Sequence, residues 1–126
     1  MFMWRPLCIA QFLTLLFIYG FLGLTGTPDN YVPMFNDKLM HAGGYIVAAF
    51  SISFAFPRWG FWPRALFLII FSIGIEIGQH YLPPRTFGLG DIYANSTGVI
   101  LGLLLFAALT LKLKWFKQLR YWQVHR

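Results

Sequence analysis

The sequence contains few charged residues and very few acidic ones. Of its 126 residues, 11% are charged, four are Asp or Glu, and 58% are hydrophobic. Soluble domains carry about 25% charged residues, so this composition indicates that lipid is the main solvent of the chain. The formal net charge of +6 is therefore interpreted as charge at a membrane surface, and no nucleic-acid partner is expected. A chain of this length has room for at most about five spans and for no separate soluble catalytic domain.

Cysteine and the common catalytic motifs are also scarce. Cys8 is the single cysteine, which excludes an intramolecular disulfide and a cysteine-based metal site. The sequence has no Gly-rich phosphate loop, no Gly-x-Ser-x-Gly motif and no HExxH motif, which argues against a nucleotide-dependent enzyme or an ordinary serine hydrolase. No cofactor is assigned. A divalent cation bound by carboxylates and histidines stays open as an alternative that is not favoured.

The abundant apolar residues are arranged in four runs. Their lengths predict an all-α polytopic membrane protein, a single domain over residues 1–126, with transmembrane helices at about 6–25, 38–56, 65–82 and 92–111. All seven prolines fall at the edges of these spans or between them. Proline inside a helix removes a backbone hydrogen bond that hydrocarbon cannot replace, so this placement supports the predicted boundaries.

The basic residues predict the orientation of the spans. With four spans both termini lie on one side, and that side holds all the Lys and Arg residues except Lys38 and Arg85. The positive-inside rule then places both termini in the cytoplasm, as a multi-pass protein of the inner membrane. The basic, aromatic tail 112–126 and the loop Pro57–Arg64 are interpreted as anchors at the cytoplasmic interface.

Polar side chains gather at the opposite, outer ends of the last three spans. At about 100° per residue, the polar residues of each span cover no more than about 100° of the helix circumference. The stripes contain Asp37, Lys38, His41 and Tyr45 on the second span, Ser72, Glu76, Gln79 and His80 on the third, and Asp91 and Asn95 on the fourth, above Gly98 and Gly102. Because small residues let helix backbones approach, we expect a shared buried polar site between these helices.

Glu76 is the most informative of these residues. It lies about 9 Å below the predicted outer end of its span, where an ionised carboxylate facing lipid costs about 2.5 kcal/mol or more. The carboxyl group must therefore be paired, protonated or hydrated. Glu76, His41 and Asp91 are the candidates for proton handling, in part because a carboxylate such as Asp37, four residues before His41, can orient an imidazole for proton transfer.

The remaining polar residues are candidates for substrate binding. Lys38 and Arg85 are suited to gripping a phosphate or another anionic group. The other candidates in this set are Asp37, Tyr45, Gln79 and Asn95. Most of these residues also have a structural interpretation: Lys38 and Arg85 as cations that extend to the interface, Asp37 as a helix-start carboxylate that orients His41, Asp91 and Asn95 as residues that cap and hold the fourth helix, and Tyr45 as a hydrogen-bonding core residue. His80 is interpreted as an interfacial packing residue.

These residues also carry a resemblance to a known family. The pattern Asp37-Lys38-x-x-His41-x-x-x-Tyr45, followed by Glu76-x-x-Gln79, Arg85 and Asp91-x-x-x-Asn95-x-x-Gly98 with Gly102, resembles the VanZ-like membrane proteins over roughly residues 30–105. The resemblance implies an integral membrane fold of several helices. The family is named for a member that lowers susceptibility to the glycopeptide teicoplanin, but the resemblance does not imply that this chain confers resistance, and it supplies no reaction.

Two classes of function remain open at this point. In the first, the protein binds or processes an amphiphilic cell-envelope lipid or lipid-linked intermediate at the outer polar site. In the second, the polar residues are structural or conduct protons or ions, and the protein is a membrane scaffold or a transport component. Membrane lipids are the expected partners. A homo-oligomer formed through the Gly98 and Gly102 seam or the Gly74 and Gly78 seam is a further hypothesis, with packing inside one chain as the alternative.

Overall fold

The chain folds into four α-helices. A computed structural model describes residues 4–25, 37–83, 88–115, 117 and 118, and the remarks that follow concern these residues. The helices are α1 (Trp4–Leu24), α2 (Asp37–Ala55), α3 (Phe61–His80) and α4 (Leu89–Lys112). This arrangement confirms the all-α prediction. The bundle has two ends: the polar end, where α2 and α4 begin and α3 finishes, and the tail end, where α1 begins, α2 turns into α3 and α4 finishes.

Three of the helices are long and apolar enough to cross a membrane. These are α1, α3 and α4. Helix α2 has 19 residues but is less apolar, because its buried face is built from small and polar side chains. The buried residues of that face include Ala48, Ala49, Ser51, Ser53 and Ala55. Helix α2 packs most extensively against α4 and also contacts α1 and α3, so most of its surface faces protein.

The predicted helix boundaries are correct to within four residues. The largest difference is at α3, which begins at Phe61 instead of Ala65 and therefore contains Pro63 in its first turn. Proline is tolerated there because the first backbone N–H groups of a helix have no partner within the helix. The same reason allows Pro6 in the first turn of α1.

Two glycines bring α4 against α2. A Cβ atom on Gly98 would overlap the Ala42 carbonyl oxygen, and a Cβ atom on Gly102 would lie 2.6 Å from Ala49 Cβ and 2.9 Å from the Ile46 carbonyl oxygen. The expectation that small residues let the backbones approach is confirmed. The Gly98 and Gly102 seam is filled by α2 of the same chain, so packing within one chain accounts for both glycines.

The tail end is closed by aromatic rings and a buried arginine. Phe106 of α4 packs edge-on against Phe54 of α2, with ring centroids 5.3 Å apart. The guanidinium of Arg64 lies 5.9 Å from the Phe106 ring centroid, and its Nη2 donates to the Pro57 carbonyl at 3.0 Å. Arg64 is only 6% exposed. Sequence analysis placed Arg64 in an interfacial loop. It instead lies within α3 and binds the turn between α2 and α3.

Candidate functional site

An ion pair lies at the surface of the polar end. Lys38 Nζ of α2 donates to Asp91 Oδ1 of α4, and His41 Nε2 lies 3.7 Å from Asp91 Oδ2. The Lys38 side chain is 56% exposed, whereas that of Asp91 is 16% exposed. Lys38 passes over the start of α4, where a Cβ atom on Gly90 would lie 3.2 Å from Lys38 Cε and Nζ. One carboxylate therefore faces two cationic or potentially cationic groups next to solvent.

A chain of polar contacts leads from this ion pair into the bundle. His41 Nδ1 lies 2.9 Å from Asn95 Oδ1, and Asn95 Nδ2 donates to Ser72 Oγ at 2.8 Å. With the amide placed this way, His41 Nδ1 carries a proton and Nε2 faces Asp91. The Ser72 hydroxyl also interacts with the phenol of Tyr45. Asn95, Ser72 and Tyr45 are all buried, so the contacts pass from a half-exposed histidine into a closed interior.

Glu76 lies in the interior of the bundle, beyond these polar contacts. It is 1% exposed, and its Oε2 accepts a hydrogen bond from the backbone N–H of Gly88 at 3.1 Å. Gly88 precedes the first residue of α4, so Glu76 faces the positive end of that helix dipole. The phenol of Tyr45 interacts electrostatically with Glu76. Glu76 is thus enclosed by polar groups of α2 and α4, as the sequence analysis required of a buried carboxylate.

Two predicted binding residues, Gln79 and Tyr45, contact α1. Gln79 is 2% exposed, and its Nε2 donates to the Gly23 carbonyl of α1 at 2.7 Å. The ring of Tyr45 lies 5.7 Å from that of Tyr19, centroid to centroid, and the Tyr19 hydroxyl donates to the Gly44 carbonyl. In this arrangement the amide of Gln79 holds α1 against α3, and Tyr45 lies between α1 and the polar chain.

The structure does not describe the side chains of two other predicted site residues. Arg85 is outside the described residues, and of Asp37 only the backbone is described, as the first residue of α2. Their assignments to substrate binding stay predictions. His80 is exposed at the end of α3 and packs edge-on against Tyr81, with ring centroids 5.1 Å apart.

Three participants were missing from the predicted set of site residues. Ser72 had been placed in the polar arc of its helix but not among the binding residues, although it joins Asn95 to Tyr45. Its position four residues before Glu76, on the same helix face, was the available signal. The other two are Tyr19 and the Gly88 backbone N–H. Tyr19 lies in a helix that has no polar stripe. A backbone N–H donor cannot be predicted from the residue type.

The geometry does not assemble a ready metal centre. In the part of the chain that is described, no group of three or more His, Cys, Asp or Glu side chains is placed to hold a metal ion. His41 and Asp91 approach each other, with Nε2 and Oδ2 3.7 Å apart. A divalent cation stays an alternative that these residues do not favour.

The fold and the site define a class: a small all-helical membrane protein with ionisable side chains buried together at one end of the bundle. The sequence model of the VanZ/LLP1 family matches residues 30–111, about two thirds of the chain. The protein belongs to the VanZ/LLP1 family, which confirms the resemblance. The matched region contains α2, α3 and nearly all of α4 but not α1. A search of curated proteins found no match, and a search of solved structures found none.

Proposed function

We propose that this protein binds or processes an amphiphilic cell-envelope lipid or lipid-linked intermediate at the polar end of the bundle. The headgroup meets Lys38, His41 and Asp91 at the surface, and Glu76 lies beyond them in the interior. The apolar part of the lipid lies along the outer face of the helices. The proposal treats the polar end as one site to which three helices contribute.

The burial of Glu76 carries this proposal. A carboxyl group that is 1% exposed inside a small helical bundle is expensive to maintain, and ionisable residues within membrane spans commonly mark substrate or ion pathways. The contacts from Asp91 through His41, Asn95 and Ser72 lead from a half-exposed ion pair to Tyr45, whose phenol interacts electrostatically with Glu76. A surface that only anchors the protein in lipid has no need of such a connected interior.

We further propose that all four helices cross the inner membrane and that both termini face the cytoplasm. The polar stripe of α2 begins level with those of α3 and α4, because Lys38 meets Asp91 and Asn95 meets Ser72. Helix α2 can cross the membrane although it is less apolar, because α1, α3 and α4 cover most of its surface. The tail end carries Arg5, Arg58, Lys112 and Lys114, which supports a cytoplasmic location for the tail end and an outer-leaflet location for the polar end.

The proposed roles follow from the chemistry of each side chain. Lys38 provides a cation for an anionic headgroup, and Arg85 is proposed to provide a second one. His41 exchanges protons, oriented by Asn95 on one nitrogen and facing Asp91 with the other. Glu76 and Asp91 serve as proton acceptors or donors when the bound lipid is chemically changed.

Two alternatives each have a specific observation in their favour. A scaffold is favoured by the hydrogen bonds of Asn95 and Gln79, which join helices to each other. A proton-coupled transport component is favoured by the continuous run of polar groups from Asp91 to Tyr45. A scaffold predicts that Glu76→Gln lowers stability, whereas transport predicts a change in proton flux without any change in lipid.

The test compares lipids from membranes that contain wild-type protein, Glu76→Gln or Thr97→Val at matched levels. Thr97 is the control because it is exposed on α4 and its hydroxyl donates to the Tyr93 carbonyl of the same helix. Untargeted mass spectrometry should find a lipid species that changes with wild type and Thr97→Val but not with Glu76→Gln, or a lipid that co-purifies with the first two alone. Identical total and co-purifying lipids in all three samples would refute the proposal.

A further inference from the structure

Helix α1 is secured unevenly along its length. Its buried residues are Cys8 and Phe12, both in the half nearest the tail end. Gln11 and Ser51 form two hydrogen bonds there. Ser51 Oγ donates to Gln11 Oε1 at 2.7 Å, and Gln11 Nε2 donates to the Ser51 carbonyl at 3.3 Å. In contrast, none of residues 13–24 is buried. The half of α1 nearest the polar end therefore lies on the bundle without being enclosed by it.

That exposed half is held against α2 by the hydrogen bond from the Tyr19 hydroxyl to the Gly44 carbonyl, and it also contacts α3. Gln79 donates to the Gly23 carbonyl, and two glycines interlock with apolar side chains of the opposite helix. A Cβ atom on Gly23 would lie 2.6 Å from Ile75 Cγ2, and one on Gly78 would lie 2.7 Å from Leu24 Cδ2. Movement of α1 away from α3 has to break these two contacts and the hydrogen bond.

Residues 13–24 contact two predicted site residues, Tyr45 of α2 and Gln79 of α3. Tyr19 packs on Tyr45, and Tyr45 in turn interacts with Ser72 and Glu76. On α3, Gln79 is three residues beyond Glu76 and is turned to α1 by its hydrogen bond. When α1 is in place, Gln79 is 2% and Glu76 1% exposed, so no headgroup reaches them from the bilayer.

We propose that residues 13–24 of α1 form a lateral gate that moves away from α3, pivoting on the tail-end contacts of Gln11 and Phe12. Opening releases the Gln79 amide from Gly23 and exposes it, together with Tyr45, to a molecule arriving from the bilayer. The identity of that molecule rests on the proposed function, but the motion itself does not. The gate also accounts for Gln79, which binds a backbone carbonyl when the gate is closed and faces the ligand when it is open.

The test locks the gate and measures access to Glu76 with a lipid-soluble carboxyl reagent. Leu24→Cys and Gly78→Cys, in a Cys8→Ala background, are joined by oxidation and released by dithiothreitol. The reagent is dicyclohexylcarbodiimide: the protonated carboxyl group adds across one C=N bond, and the O-acylisourea rearranges to a stable N-acylurea with no leaving group. Peptide mass spectrometry gives the labelling rate at Glu76, with Glu76→Gln as the blank.

The reduced protein should be labelled, and the oxidised protein should be labelled at least tenfold more slowly. Leu24→Cys with Gly74→Cys is the matched control, because a Cβ atom on Gly74 has no atom within 4 Å and lies one turn away from Gly78. Oxidation should not change its rate. Independently of any disulfide, Gln79→Ala removes the hydrogen bond to Gly23 and should raise the labelling rate severalfold.

Equal labelling of the oxidised and reduced proteins, or an unchanged rate in Gln79→Ala, would each overturn the gate. These outcomes are separate from those for the proposed function. A gate that opens in a protein whose lipids do not depend on Glu76 would refute lipid binding and leave the motion established, whereas lipid dependence without gating would show that the ligand arrives by another route.

Discussion

His41 Nδ1 of α2 lies 2.9 Å from Asn95 Oδ1 of α4, although 54 residues separate the two in sequence. This contact is the point at which the half-exposed ion pair of Lys38 and Asp91 becomes continuous with the buried polar residues. His41 lies four residues after the start of α2, and Asn95 lies six residues after the start of α4. Because α2 and α4 begin at the same end of the bundle, residues from the first two turns of two separate helices form one group.

Asn95 is expected to be important for stability because it binds two different helices. Asn95→Ala removes the hydrogen bond to the buried Ser72 and the contact with His41, and we expect the free energy of unfolding to fall by about 1–3 kcal/mol. Reversible unfolding in mixed micelles, followed by tryptophan fluorescence, measures this change. Thr97→Val, on the exposed face of the same helix, should change it by no more than about 0.5 kcal/mol. Equal effects of the two substitutions would contradict the assigned role of Asn95.

The close approach of α4 to α2 predicts opposite results at two glycines. Gly98→Ala forces the Ala42 backbone to move and should lower the free energy of unfolding by about 1–3 kcal/mol. Gly74→Ala places its methyl group in open space on α3 and should change stability by less than about 1 kcal/mol, since alanine is the better helix former. The same unfolding assay distinguishes them. A tolerated Gly98→Ala would mean that the two helices are not in contact at this point.

Arg64 and Arg58 provide a matched pair at the tail end. Arg64→Leu removes donors from the Pro57 carbonyl and from Ser53 Oγ in a buried site, and the free energy of unfolding should fall by about 1–3 kcal/mol. Arg58→Leu removes an exposed cation and should change stability by about 0.5 kcal/mol or less. Comparable losses from both, measured by unfolding in the same micelles, would show that Arg64 is not structural.

Substitution of Lys38 is expected to change lipid binding with almost no change in stability. Its ion pair with Asp91 is 56% exposed on the lysine side, so the pair contributes only about 0–1 kcal/mol to stability. Lys38→Gln should therefore accumulate in membranes and unfold almost like the wild type, yet lose the lipid that depends on Glu76. A double-mutant cycle with Asp91→Asn gives the coupling energy directly. Full retention of that lipid in Lys38→Gln would remove Lys38 from the binding site.

Much of the fold follows from sequence because lipid imposes simple length rules. Apolar runs of about 20 residues identified the helices, and the prolines marked their ends with the exception of the first turn of α3. Helical periodicity placed Glu76, Asp91 and Asn95 on polar faces at one end, and the small residues Gly98 and Gly102 indicated a close helix contact. The sequence did not predict that α2 is the helix that contacts α4 at these glycines.

The pairings within the site could not be predicted in the same way. Periodicity shows which face of a helix a residue occupies but not which neighbour it meets. Gln79 was grouped with Glu76 because the two share an arc, yet it binds the backbone of α1, a helix with no polar stripe to suggest a contact. The hydrogen bond from the Gly88 backbone to Glu76 could not be predicted either, because every residue type except proline offers the same donor.

The most direct test of the central claim is native mass spectrometry of the purified protein with the lipids it retains from the membrane. Wild type and Thr97→Val should carry the same selectively bound lipid, and Glu76→Gln and Lys38→Gln should carry at least tenfold less of it per folded chain. If all four proteins retain the same lipids in the same amounts, the polar end is not a lipid site.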